Sequence, residues 1–148
     1  MAVVVDADFG YCVLAAIFIS LQCIAAGVRV GAARKLYKVD YPDNGGGRFA
    51  DKLSDEDWVM FNNIKRVSDN YSEQISIVLT MLLLAGLFQP KLAAFLGATY
   101  FVGRALYGWG YVNRGPDARV YGVPFTYTAF VGLAAIAGYN AVMITIFA

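Results

Sequence analysis

A chain of 148 residues suits one domain by length, but 59% hydrophobic and only 16% charged content excludes an ordinary soluble composition, and the mean hydropathy is +0.54. There is no histidine and there are only two cysteines, which removes Ser-His-Asp and Cys-His catalysis, histidine proton shuttles and the usual zinc sites, so no metal is expected. The net charge is +1, and with no basic stripe interleaved with aromatics outside the membrane-flanking segments, nucleic acid is not an expected partner.

The apolar residues are gathered into runs. Tyr11 to Val28, Gln74 to Gln89, Leu92 to Gly103 and Tyr121 to Ala148 carry no charge. A hydrocarbon core about 30 Å thick takes roughly 20 helical residues, fewer where basic side chains snorkel. Four spans therefore fit, over about residues 9–38, 55–88, 92–113 and 121–147 of one domain covering 1–148. The expected fold class is an all-α membrane protein, a bundle of four transmembrane helices.

Met1 to Phe9 carries Asp6 and Asp8 and lacks the positive region of a secretory signal, so the first span is expected to stay attached. It leaves the membrane through Arg29, Arg34, Lys35 and Lys38. Cys12 and Cys23 lie about 16 Å apart along it, too far to bond to each other, and read as packing residues. Asp40 to Asp57 holds Pro42, Asn44, glycines 45 to 47 and five acids after Asp40, and reads as a solvated polar spacer. Ser54 then supplies an N-cap with a carboxylate three residues on, and the first-turn acids suit the positive end of a helix dipole. Helix two starts there, with Trp58 at the interface. Gln89-Pro90-Lys91 allows only a tight turn, making spans two and three antiparallel neighbours. Gly115-Pro116 ends helix three.

Lysines and arginines test this layout. Arg29, Arg34, Lys35, Lys38, Arg48, Lys52, Lys65, Arg66, Arg104, Arg114 and Arg119 make eleven on one side, and Lys91 alone is left for the other. By the positive-inside rule the basic loops are cytoplasmic and both termini are not. The Asn70-Tyr71-Ser72 sequon falls on the cytoplasmic side within a helix, so glycosylation is not expected.

Two polar stripes rise into the membrane from the basic side. Asn62, Arg66, Asn70, Glu73 and Gln74 fall within a sector of roughly 120° on helix two, and Tyr100, Arg104, Tyr107 and Tyr111 within about 60° on span three. Each has a plain alternative: Arg104 pairing with Glu73 structurally, the tyrosines forming an aromatic belt, Arg66 snorkelling. Together they fit a polar pocket at the cytoplasmic end of the bundle. Its guanidiniums, carboxylate, carboxamides and phenols suit a small zwitterion with more than one carboxylate and one ammonium. With no histidine base and no cysteine at that depth, a nucleophile brought by the ligand is easier to support than covalent catalysis by the protein.

Phe61-Asn62-Asn63-Ile64-Lys65-Arg66-Val67-Ser68-Asp69-Asn70-Tyr71-Ser72-Glu73-Gln74 resembles the helix-two signature of the MAPEG family, the membrane-associated proteins of eicosanoid and glutathione metabolism. Gly103-Arg104-Ala105-Leu106-Tyr107-Gly108-Trp109-Gly110-Tyr111, with Gly115-Pro116 and Arg119, resembles its helix-three signature, and Ala33 to Pro42 is similar to the type-three microsomal glutathione transferase branch. The resemblance implies a homotrimer in the endoplasmic reticulum membrane, binding glutathione as co-substrate between neighbouring subunits. It implies Arg34, Arg66, Asn70, Glu73, Gln74, Tyr107 and Tyr111 as the binding set, with Arg119 stabilising the thiolate and Tyr111 assisting. Where the leukotriene C synthase branch has a second arginine after helix one and a tyrosine after the helix-two glutamate, this chain has Lys35 and Gln74. The implied activity is a glutathione transferase or peroxidase acting on lipophilic electrophiles, in leukotriene-C-synthase-like conjugation, or on lipid hydroperoxides. A non-catalytic lipid-binding or adaptor relative is the alternative, and an unrelated four-helix channel or assembly subunit a third reading.

Overall fold

A computed structural model describes residues 5–147; residues 1–4 and 148, which the domain expected over 1–148 and its uncleaved amino-terminal segment also include, lie outside the described residues. The described residues form four long helices and no strand: α1 (Phe9–Tyr37), α2 (Asp55–Gly86), α3 (Pro90–Arg114) and α4 (Val123–Phe147). Short 3-10 turns occupy Ala50–Lys52 and Pro116–Tyr121. The second of these ends at Tyr121, the first residue expected in the fourth span, and α4 opens two residues later at Val123.

Local chemistry sets the helix ends. The Ser54 hydroxyl accepts from the Asp57 amide at 3.2 Å, and Asp55, Glu56 and Asp57 fill the first turn of α2. Pro90 sits in the first turn of α3, where its missing N–H costs nothing. Gly115, at φ +89°, stops α3 in a backbone region that suits glycine. At the α2–α3 turn, Lys91 reaches Asp8 at 3.0 Å and ties the start of α3 to the start of α1.

α2 and α3 are the central pair, each packed on α1 and α4 as well as on each other. The core takes Cys12 and Ile19 from α1, Tyr71, Val78, Leu82 and Ala85 from α2, Ala93, Leu96 and Tyr100 from α3, and Ala129, Leu133 and Ile136 from α4. The spacings of three, four and seven residues put each set on one helical face. Outside this core the usual pattern is inverted: Leu14, Phe18, Leu21, Ile24 and Val28 of α1 and Val131, Val142 and Ile146 of α4 are exposed. α1 and α4 are long and apolar enough to cross a membrane, and so much uncovered apolar surface suits lipid. α2 and α3 are mixed, apolar toward the turn that joins them and charged toward the other end, where Lys65, Arg66, Asp69, Glu73 and Arg104 lie.

The segment between α1 and α2 is a folded cap and not the solvated spacer its composition suggests. The buried Asp43 carboxylate accepts four backbone N–H groups, from Gly45 (2.8 Å) and Gly47 (3.0 Å) on one oxygen and from Phe49 (2.7 Å) and Ala50 (2.9 Å) on the other. Those bonds hold the carboxyl at about 2, against an ordinary value of 3.8. Gly45 is needed for its φ of +97°, and a Cβ on Gly47 would stand 3.0 Å from the carboxylate. Arg34 donates to the carbonyls of Val39 (3.2 Å) and Asp43 (2.6 Å) and to Asn44 Oδ1 (3.1 Å), while Val39, Ala50, Ala33 and Phe61 pack beneath.

Candidate functional site

The helix-two stripe divides among three neighbours. Asn62 belongs to the cap, its amide donating to the Gly45 carbonyl at 2.9 Å. Arg66 and Glu73, two turns apart, form an ion pair at 3.1 Å with side chains 53% and 55% exposed. Asn70 and Gln74 turn inward to α3.

What they meet is Arg104. Its guanidinium donates to Asn70 Oδ1 at 2.7 Å, to the Val67 carbonyl at 3.2 Å and to Gln74 Oε1 at 3.5 Å. The ring centroids of Tyr71 and Tyr107 stand 4.4 and 4.7 Å from its central carbon, within cation–π range. Burying a guanidinium carries a desolvation cost, and the neutral acceptors and rings offset that without supplying a negative charge. The structural pairing of Arg104 with Glu73 is not made: Glu73 goes to Arg66, and no described ion pair contains Arg104. Its Nε–H is buried without an acceptor.

The two stripes therefore join through Arg104 and Asn70. Tyr107 and Tyr111, one turn apart and both buried, stack with centroids 5.6 Å apart. Arg119 is exposed on the 3-10 turn after α3, and both it and Arg66 lie within electrostatic reach of the Tyr107 phenol. Arg66, Glu73, Tyr107, Tyr111 and Arg119 thus occupy one end of the bundle, braced from behind by Arg104, Asn70 and Gln74. Arg34 lies in the cap, both terminal nitrogens already occupied by loop acceptors.

Two polar residues, the buried Tyr71 and the partly buried Gln22, were not among the candidates. The Tyr71 hydroxyl bonds to Gln22 Oε1 at 2.7 Å and to the Ile19 carbonyl at 3.0 Å, and the Gln22 amide donates to the Phe101 carbonyl at 3.1 Å, stitching α1, α2 and α3 together. The one available signal was Gln22 itself, the only carboxamide in the uncharged run of helix one. Among the described residues no group of three or more His, Cys, Asp or Glu is placed to hold a metal. Cys12 is buried at the opposite end, its thiol donating to the Pro90 carbonyl at 3.1 Å.

At the braced end the protein presents one guanidinium and one carboxylate to solvent, paired with each other, beside two phenols and a second exposed arginine. The chemistry of such a surface is complementary to a small zwitterion with carboxylates and an ammonium. An uncharacterized protein of Synechocystis sp. is 38% identical over 94 residues, covering 63% of this chain, and the match spans 61% of that relative's length. The sequence profile of the MAPEG family matches residues 12–139, which run from the first turn of α1 to the second half of α4 and include both stripes. The chain is a membrane protein that belongs to the MAPEG family, whose members include glutathione transferases and peroxidases.

Proposed function

We propose that this protein is a glutathione-dependent membrane transferase and peroxidase. The observation that carries the reading is the half-exposed Arg66–Glu73 pair, held beside Tyr107 and Tyr111 on helices locked together by Arg104 and Asn70. Glutathione has two carboxylates and one ammonium. Arg66 takes a carboxylate, Glu73 takes the ammonium, and Asn70, Gln74, Tyr107 and Tyr111 contribute polar contacts. Arg34 supports the site through the cap.

Arg119 holds the ligand's sulfur as thiolate, with Tyr111 assisting. In conjugation the sulfur forms a bond to an electrophilic carbon and the leaving group departs with its electron pair. In peroxide reduction two glutathiones become one disulfide as the hydroperoxide becomes an alcohol and water. The bilayer delivers the lipophilic partner laterally. In this reading all four helices span the membrane, three subunits complete the site at their boundaries, and the basic ends face the cytoplasm. Both termini lie on the other side, and the host membrane is the endoplasmic reticulum.

Purified protein in detergent, titrated with glutathione by calorimetry and assayed with chlorodinitrobenzene and a fatty-acid hydroperoxide, tests this. Glutathione binding with turnover of either substrate is expected. Absence of both binding and turnover in folded protein rejects the proposal.

A further inference from the structure

α1 is uncharged from Tyr11 to Val28 and apolar enough to cross a membrane. A carboxamide in such a run is costly unless it is bonded. Gln22 is bonded in one particular place. Its Oε1 accepts from the Tyr71 hydroxyl at 2.7 Å, and its Nε2 donates to the Phe101 carbonyl at 3.1 Å. The Tyr71 hydroxyl also lies 3.0 Å from the Ile19 carbonyl, and the Tyr71 ring meets that of Tyr100 edge to face, with centroids 6.2 Å apart. Tyr71 is therefore pinned at its hydroxyl by α1 and at its ring by α3.

What the pinned ring carries is Arg104. The guanidinium carbon stands 4.4 Å from the Tyr71 centroid and 4.7 Å from that of Tyr107. Two common ways of fixing a buried arginine are missing. No described ion pair contains it, so no carboxylate sets its place. It also borders a cavity of about 290 Å³, so close packing does not confine it on that side. Its position rests on neutral acceptors of α2 and on the two rings. Tyr107 in turn stacks on Tyr111, and Arg66 and Arg119 lie within electrostatic reach of its phenol. A path of contacts thus runs from α1 through Tyr71 and Arg104 to the phenols beside the exposed ion pair.

We propose that Gln22 and Tyr71 are positioning residues for glutathione binding, holding Arg104 where it sets the placement of Asn70 and Tyr107. This rests on the glutathione reading of the exposed end. Neither residue touches the ligand. Losing their shared hydrogen bond frees the Tyr71 ring, lets Arg104 relax toward the cavity and displaces Tyr107 with it. Arg119 stands on the 3-10 turn after α3, outside this path. The effect therefore falls on glutathione affinity and leaves the ionisation of its sulfur alone.

The full chain in detergent tests this, with glutathione Kd from calorimetry, turnover of chlorodinitrobenzene and a thermal midpoint for each variant. Tyr71→Phe keeps the ring against Arg104 and removes the hydroxyl, while Gln22→Leu removes its partner. Each should raise Kd about fivefold, the equivalent of one hydrogen bond. At saturating glutathione kcat and the pH–rate profile should stay in place. Because the two variants cut the same bond, the double variant should also stand near fivefold, whereas independent effects would multiply to about twenty-fivefold. Ile136→Val, a mild core change on α4, should lower the midpoint comparably and leave Kd alone. An unchanged Kd in both single variants, multiplied effects in the double variant, or an equal rise of Kd in Ile136→Val overturns the proposal. A parent protein that binds no glutathione overturns it together with the reading beneath it, while a parent that binds and variants that match it overturn this proposal only.

Discussion

Arg104 of α3 donates to the Asn70 carboxamide of α2 at 2.7 Å, while Glu73, one turn further along α2, turns away to Arg66. The buried arginine thus leans on a neutral side chain, and the carboxylate stays at the surface where a ligand can compete for it. Asn70→Leu keeps comparable bulk and removes the acceptor. It should lower the stability of the detergent-solubilised protein by about 1.5–3 kcal/mol, the range for a hydrogen bond to a charged group. Denaturant unfolding followed by circular dichroism measures this, and an unchanged midpoint would mean that the Arg104–Asn70 bond does not hold α2 to α3.

The cap makes a prediction of opposite character, because it is electrostatic and lies outside both helices long and apolar enough to cross a membrane. Asp43 has a folded value of about 2 against an ordinary 3.8, so folding favours its charged form. The resulting stabilisation is complete above the ordinary value and drains away as pH falls through that interval toward 2. Pepsin cleavage at Phe49 or Leu53 should therefore be slow at about pH 4 and rise steeply toward about pH 2. Asp43→Ala should loosen the backbone around the already exposed Arg48 and Lys52 and so speed tryptic cleavage there at neutral pH. Equal cleavage of Asp43→Ala and the parent would remove Asp43 from its role as organiser of the cap.

Much of this architecture was legible in the chain, and the parts that were not share a cause. Helices announce themselves through uncharged runs, through Ser54 with its trailing acids, and through Gly115-Pro116, all local signals. The stripes were legible because helical periodicity is also local. The cap was not, since five acids and three glycines read as a solvated loop until one carboxylate, Asp43, is seen collecting four amides. The loop partners of Arg34 were hidden for a similar reason: two of its three acceptors are backbone carbonyls, which every residue possesses, and the third is Asn44 Oδ1. Gln22 and Tyr71 bond across helices 49 residues apart in sequence, and no periodic pattern marks such pairs.

The approach of α3 to the turn before α4 depends on missing side chains. A Cβ on Gly122 would run into the Gly103 carbonyl and the Tyr107 backbone, neither of which can swing aside. Gly122→Ala should cost about 1–3 kcal/mol through overpacking. Gly138→Ala, within α4 and with nothing within 4 Å of its would-be Cβ, should stabilise by about 0.5–1 kcal/mol through helix propensity. Thermal unfolding of the two variants in parallel reads the contrast. Shifts of equal sign would contradict the close crossing.

Because the Arg66–Glu73 pair is half exposed, it should contribute less than about 1 kcal/mol to stability. Glu73→Gln is expected to leave the thermal midpoint almost unchanged and yet to weaken glutathione by about tenfold, as the ligand's ammonium loses its carboxylate. Arg66→Ala should do the same through a ligand carboxylate. Calorimetric titration beside a melting curve separates the two effects, and a stability loss without a binding loss would make the pair purely structural.

Arg119 carries the chemical part of the proposal. A free thiol with a pKa of about 8.5 is only a few per cent thiolate at pH 7, and lowering it by two units takes about 2.7 kcal/mol. A guanidinium at the sulfur supplies this as charge stabilisation without itself exchanging a proton. Arg119→Ala should therefore lower kcat by about 10²-fold while glutathione Kd changes by less than about threefold. The ultraviolet absorbance of bound thiolate should disappear, and the pH–rate profile should move to alkaline values, since the thiol then ionises unaided. Arg66→Ala supplies the contrast, with weaker binding and an unmoved profile at saturating glutathione. Thiolate absorbance that persists in Arg119→Ala would transfer the role to another group, with Tyr111 the next to be tested.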